Sequence, residues 1–313
     1  MKPVDILLAT CNSEKYLAEQ LNSLSGQTNE NWRLIVHDDG SADGTLAILR
    51  TYAGRYPGKI RVIEDGLVFG SPRGNFSHLV SFTEGDYVMF CDHDDVWLPD
   101  KIEETLKKML AAEERYGKDI PLLVHTDLKV ADAGLKVIAG SFWKYQNLTP
   151  ERAGGFSRIA MQNVVTGCTM MINKKLLALA APVPENAIMH DWWFALCAAA
   201  FGKIECLATP TVLYRQHAVN NLGAQKWGFA YMANKAVSLW NTAEWDKQFS
   251  AQAEQLRQFL ARYKDLLNNA QAESAQCFIG LRNTNRLKKI FIILKYGFFK
   301  NGFARNAGLF MKI

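Results

Sequence analysis

Short apolar runs alternate with longer amphipathic stretches along the first 130 residues. Val4–Thr10, Trp32–His37, Ile60–Ile63, Tyr87–Cys91 and Leu122–His125 read as strands, and Ser13–Ser25, Thr45–Tyr56, Asn75–Thr83 and Lys101–Tyr116 as the helices between them. Leu17, Leu21 and Leu24 recur at helical spacing, with Ser13 placed to cap that helix. Runs such as Leu34-Ile35-Val36 suit strands buried on both faces. This alternation predicts an α/β fold, a mostly parallel Rossmann-like sheet with helices on both faces. From Asp127 to Ser157 the pattern loosens into a loop-like stretch carrying Phe142, Trp143 and Tyr145. It returns with Cys168–Asn173 (strand), Asp191–Phe201 (helix) and Ile204–Arg215 (strand), and beyond residue 224 the chain reads as helical.

No Pro/Ser/Gly-rich linker and no internal repeat divides the 313 residues, which predicts one domain over 1–222 with a helical C-terminal extension over 223–313. Composition changes this picture little: 49% apolar and 21% charged residues belong to an ordinary globular protein. The six cysteines are scattered without a Cys-x-x-Cys pair, as expected of reduced thiols acting as small core residues. Met1–Ala9 is too short and too interrupted by Asp5 for a signal peptide. Charge is more informative. The net charge is +5, yet the last forty residues hold eight Lys/Arg and no acid, so the rest of the chain is net negative. A basic end of this kind argues against a nucleic-acid-binding surface.

Open α/β sheets bind ligands beyond the carboxyl ends of their strands. Three polar clusters fall there: Thr10-Cys11-Asn12, His37-Asp38-Asp39-Gly40-Ser41 and Asp92-His93-Asp94-Asp95. The last sets three carboxylates within four residues, a repulsive arrangement that a hard divalent cation, Mg²⁺ or Mn²⁺, relieves. The alternative is a solvated acidic turn capping the helix that starts near Pro99. A carboxylate at Asp38 or Asp39 can accept a uracil or thymine N3–H, with Thr10 at the ribose. The alternative there is an Asx-type turn in which Gly40, Ser41 and Asp43 are structural. Asp191 opens a helix, where an acid is also favoured simply as a cap.

Phe90-Cys91-Asp92-His93-Asp94-Asp95-Val96-Trp97-Leu98-Pro99-Asp100-Lys101-Ile102 closely resembles the metal-binding segment of family 2 glycosyltransferases. Asp38–Thr45, Ala9-Thr10-Cys11-Asn12 (Cys where Tyr is usual), Gly70–Phe76, His190-Asp191-Trp192-Trp193 (His where Glu is common) and Tyr214-Arg215-Gln216-His217 resemble further motifs of that family, in order, over roughly residues 4–220. The resemblance implies a GT-A fold and an inverting transfer from a nucleoside diphosphate sugar. It implies Asp94 as principal metal ligand with His217 completing the site, Asp92 at the ribose or a metal-bound water, and Asp95 in support. It further implies Asp39 reading the base, with Thr10, Asn12, Asp38 and Arg73 around the nucleotide. Asp191 would be the catalytic base, Trp192 and Trp193 a flat wall for a sugar ring, and the 127–157 stretch acceptor-facing or irregular.

The wording is similar to bacterial transferases of surface-polysaccharide assembly, several of them rhamnosyltransferases. The implied donor is dTDP-rhamnose, or UDP-glucose or UDP-galactose, and the implied acceptor a hydroxyl of a lipid-linked glycan in O-antigen or capsule synthesis. A dehydrogenase is disfavoured because no Gly-x-Gly-x-x-Gly follows the first strand. A metal-dependent phosphohydrolase acting on a nucleotide or phosphodiester is the main alternative, and a non-catalytic sugar-binding module would need neither Asp191 nor a metal.

At the basic end, Leu287, Ile290, Phe291, Leu294 and Phe298 fall on one helical face, with Arg286, Lys288, Lys289 and Lys295 off it. The apolar run Ile290–Leu294 is too short to span a bilayer. Such a helix either lies on an anionic membrane surface or packs on the domain, giving a cytoplasmic protein peripheral to the inner face of the cytoplasmic membrane in the first case.

Overall fold

Four apolar segments build the parallel half of the sheet: β1 (Val4–Thr10) runs between β2 (Trp32–Asp38) and β4 (Tyr87–Asp92), with β3 (Ile60–Ile63) outside β2. The chain is described by a computed structural model over residues 2–217 and 242–313. Side chains alternate across the strands, so Ile6 and Leu8 join a core with Leu17 and Leu21 of α1 (Glu14–Ser25), Leu49 of α2 (Thr45–Arg55) and Met109 of α4 (Lys101–Tyr116). Leu7, Ile35 and Phe90 point the other way, towards Phe76 and Leu79 of α3 (Pro72–Leu79). Burial on both faces is what the unbroken apolar runs encode.

The second half of the sheet departs from simple alternation. After the two-residue β5 (Val96–Trp97) and α4, β6 (Leu122–Ala131) pairs with β7 (Val137–Ala139), and β8 (Met170–Asn173) inserts antiparallel between β4 and β6. β9 (Lys203–Arg215) runs parallel to β6 and antiparallel to β5, giving the order β3-β2-β1-β4-β8-β6-β9-β5. The stretch expected to be loose is therefore ordered. β6 runs past His125, and Asp127 gathers the N–H groups of Leu128, Phe142 and Trp143 and the Ser141 hydroxyl to start α5 (Phe142–Tyr145). Trp143 is buried against His125 rather than open to a ligand. Ser13 does not cap α1 with its side chain: its Oγ accepts from the Cys11 N–H, and Asp43 accepts from the Glu14 N–H instead.

On the second face, α6 (Phe156–Met161), α7 (Lys174–Ala180) and α8 (His190–Phe201) share a core with the C-terminal helices α9 (Thr242–Tyr263), α10 (Asn269–Gly280), α11 (Arg286–Tyr296) and α12 (Phe303–Lys312). Phe259 and Tyr263 of α9 pack on Trp193 with ring centroids 5.8 and 6.1 Å away. The expected boundary at 222/223 lies outside the described residues. Between α8 and β9, a Cβ on Gly202 would stand 1.7 Å from the Pro121 carbonyl oxygen, so the junction admits only glycine. No described helix is long and apolar enough to cross a membrane.

The apolar face expected on the basic helix splits. Ile292 and Ile293 turn into the core and Gly297, in the left-handed region at φ 73°, folds the chain back so that Phe298 is buried too. Leu287, Phe291 and Leu294 are left exposed on the other side.

Candidate active site at the carboxyl end of the sheet

β4 delivers Asp92 to the sheet's carboxyl edge, and the turn 92–95 carries the chain into β5. Asp94 faces His217, just beyond the end of β9, with Nε2 2.8 Å from Oδ2. Arg215 locks the two elements together from a buried position: its N–H donates to Asp95 Oδ1 (3.1 Å), its Nε to the Asp94 carbonyl (2.8 Å), and its guanidinium pairs with Glu19. That guanidinium also lies 4.4 Å from the centroid of the Tyr16 ring, which packs in turn on His217 at 4.9 Å. Asp95 is fully buried, with Asp92 and Cys168 within 4.8 Å, and its carboxyl is held well above the usual range by burial and then by the Asp94 and Asp92 charges. His93 turns aside to the Ala9 carbonyl.

Asp191 enters the same neighbourhood from the first turn of α8. Met189, not Asp191, occupies the cap position. The Asp191 carboxylate accepts from Gly167 N–H (3.1 Å) and Trp192 N–H (2.5 Å), but burial outweighs both bonds and raises its pKa to about 7. Asp92 is likewise raised to about 7, by burial first, then by Asp94, then by Asp191. Asp92 therefore senses the charge of a residue about a hundred positions away in the chain. His190 is buried between Phe76 and Phe90, at 4.2 and 5.1 Å, with no partner at either ring nitrogen, and burial lowers its pKa to about 3. It is neutral packing.

Trp192 and Trp193 do not form a sugar wall. Trp193 is fully enclosed and bonds the Ala180 carbonyl, while Trp192, 9% exposed, bonds the carbonyl of Ile159. The reason is that α8 lies under α9 on one side and against α6 and α7 on the other, so both indoles face protein.

At the other end of the edge, Thr10 Oγ1 donates to Asp38 Oδ1 (2.9 Å), and Asp38 also accepts from the N–H and hydroxyl of Ser41. Asn12, at φ 48°, accepts from Ala42 N–H and donates its own N–H to Ser41 Oγ. These three side chains tie the loops after β1 and β2 into one frame. Asp39, 7% exposed, accepts from Phe69 N–H through Oδ1 at the start of a turn that Gly40 makes at φ 78°. Arg73 does not stand free beside this frame: its Nη1 donates to the Ala187 carbonyl (2.9 Å), bracing the loop before α8.

Residues 5–117 match the family model for "Glycosyl transferase family 2". Those residues form a family 2 glycosyltransferase domain. It is 28% identical over 236 residues to the dTDP-rhamnosyl transferase RfbG of Shigella flexneri, covering 69% of this chain and 74% of that relative. Other relatives are matched over 21% to 82% of their length. Among solved structures, TarS residues 1–349 of S. aureus in complex with UDP-GlcNAc superposes with a TM-score of 0.53 at 20% identity, over 94% of this chain and 85% of that one. The mannosyltransferase PcManGT of Pyrobaculum calidifontis, in complex with GDP-Man and Mn²⁺, gives 0.53 at 15% identity, over 94% and 74%. The fold is thus the GT-A fold of nucleotide-sugar transferases, with added C-terminal helices.

At this site the donor set fits a hard divalent cation. Asp94 and His217 offer a carboxylate and an imidazole in contact, and Asp92 beside them is raised by burial and then by the charges of Asp94 and Asp191. The inner trio of Asp92, Asp95 and Cys168 is less suited, because the Cys168 thiol bonds Asp95 and Asp95 bonds Arg215. Sequence reasoning missed Arg215, Tyr16 and Gly167. Arg215 stood inside a flagged motif, whereas nothing local distinguishes Tyr16 or Gly167.

Proposed function

We propose that this transferase is inverting and metal-dependent, and that it moves a hexosyl group, rhamnose from dTDP-rhamnose before glucose or galactose from a UDP-sugar, to a hydroxyl of a glycan acceptor in surface-polysaccharide synthesis. The observation that carries this reading is the shared field of Asp92, Asp94 and Asp191 beside His217 at the sheet's carboxyl edge. Asp94 and His217 would hold Mn²⁺ or Mg²⁺, which when bound neutralises the departing diphosphate. Asp191, with a pKa near neutrality, takes the proton of the acceptor hydroxyl. Asp39 accepts the N3–H of uracil or thymine, within the frame made by Thr10, Asn12 and Asp38. RfbG supports the rhamnosyl reading. A phosphohydrolase would use the same aspartates, but the family match favours transfer.

Calorimetric titration tests this directly. UDP or dTDP is expected to bind only with Mn²⁺ present, and Asp39→Asn to weaken that binding by about tenfold, the worth of one hydrogen bond to a charged group. Binding of neither nucleotide, or binding indifferent to metal, overturns the proposal.

The membrane reading joins it. Leu287, Phe291 and Leu294 of α11 and Phe303 and Met311 of α12 are exposed, among Arg286, Lys288 and Lys289. We infer peripheral contact with an anionic membrane, the inner face of the cytoplasmic membrane, where a lipid-linked acceptor would be met. The protein is expected to sediment with vesicles containing anionic phospholipid. Leu287→Ser, Phe291→Ser and Leu294→Ser together should release it. Equal recovery of both proteins on the vesicles, or of neither, would refute the contact.

A further inference from the structure

His37, Asp65 and His78 form a second group of ligating side chains, sharing no residue with the carboxylate cluster. His37 ends β2's buried run and is 1% exposed, Asp65 follows β3, and His78 lies on α3. His37 Nε2 is 3.3 Å from Asp65 Oδ1, His78 Nε2 is 2.6 Å from Asp65 Oδ2, and one ligand atom from each of the three falls within 4.8 Å of the others.

The hydrogen bonds around His37 make this more than proximity. Asn75 Nδ2 donates to the His37 carbonyl (3.1 Å), which fixes the amide and turns its Oδ1 towards His37 Nδ1 at 2.9 Å. An amide oxygen only accepts, so Nδ1 carries the hydrogen. In the neutral ring Nε2 is then a bare lone pair aimed at a carboxylate oxygen. Two acceptors face each other, and a positive charge between them completes the arrangement. An imidazole that coordinates through one nitrogen commonly donates from the other to an oxygen, the role Asn75 plays here. The 3.3 Å separation is also about the ligand-to-ligand distance in a tetrahedron with bonds of roughly 2.0–2.1 Å.

We propose that His37, Asp65 and His78 bind a zinc-type divalent transition metal. Two imidazoles and one carboxylate are softer than the Asp94 and His217 pair and suit a cation other than Mg²⁺. The cation takes the place of the hydrogen shared by His78 and Asp65, and the rings are held for it by Phe69, 5.6 Å from His37 and 5.0 Å from His78, and by Phe82, 5.0 Å from His78. Asp65 Oδ1 also accepts from Leu67 N–H, and Phe69 N–H reaches Asp39. The site therefore anchors one end of the 65–69 segment whose other end touches Asp39.

The full chain is titrated with Co²⁺ in excess Mg²⁺, which occupies oxygen-rich sites, while the visible absorption of four-coordinate Co²⁺ is followed. One equivalent should develop the band, with Zn²⁺ bleaching it. His78→Ala and Asp65→Asn, each at a partly exposed position, should each weaken Co²⁺ binding at least tenfold, while Asp94→Ala leaves it unchanged. Zn²⁺ should raise the Tm of the wild type and not of His78→Ala. A wild type without the band, a band that survives in both variants, or one lost in Asp94→Ala overturns the assignment.

Discussion

Asp191→Asn is expected to lower kcat by about 10²–10⁴-fold, the usual worth of a positioned general base, while nucleotide binding stays within a few-fold of wild type. The amide keeps an acceptor oxygen for Gly167 N–H but cannot take a proton. Because the Asp191 pKa is raised to about 7, wild-type kcat should climb as pH rises through that value, and the variant's residual rate should lose the limb. Stability moves in the opposite direction. A carboxyl with a folded pKa above its unfolded value of about 3.9 favours the fold when protonated, and that contribution disappears as pH rises from about 4 through 7. The variant, free of a buried charge, should therefore be more stable than wild type at pH 8 by about 1 kcal/mol or more, read from urea unfolding. A kcat within tenfold of wild type would remove Asp191 from the mechanism.

Asp94→Ala should weaken Mn²⁺-dependent binding of UDP or dTDP by at least about 100-fold, and His217→Ala by about tenfold, since a charged oxygen ligand contributes more to a hard cation than an imidazole does. Neither change should unfold the site. Arg215 donates to the backbone carbonyl of Asp94, so the turn is held through its main chain. Arg215→Met is the complementary case: it removes the bonds to the Asp94 carbonyl and Glu19 at once. Wild-type nucleotide affinity of Asp94→Ala in Mn²⁺ would move the metal elsewhere, and the Asp92, Asp95 and Cys168 trio would be the next place to look.

Much of the candidate site could be read from the chain because its motifs are local. Asp92, Asp94 and Asp95 follow directly on a strand that apolar patterning reveals, and Asp38 and Asp39 follow another. Direction and partners were harder. Asp38, Thr10 and Asn12 look alike as polar residues after strands, yet their side chains tie loops together, while Asp39 lies buried beside Phe69. The Trp192-Trp193 pair, expected as a wall for a sugar ring, is buried in the core. On α11 the periodicity identified a helix but left open which apolar residues pack on the domain, because Ile290 and the pair Ile292 and Ile293 make the apolar arc nearly continuous; Ile292 and Ile293 turn inward and Leu287, Phe291 and Leu294 outward.

By itself the sequence determined the succession of strands and helices through residue 125, the two-residue β5 apart, the acidic turn after β4, and the resemblance of its motifs to family 2 glycosyltransferases, since each depends on residues within one element or its flanking loop. Tertiary structure alone decided that β8 enters antiparallel, that α9 encloses Trp193, that Arg73 braces the loop before α8, and that Asp92 lies in the field of Asp191. Those outcomes rest on contacts between segments far apart in the chain. Which face of a helix is buried, and which carboxylates share a charge, depends on what packs against them, and no local pattern carries that information.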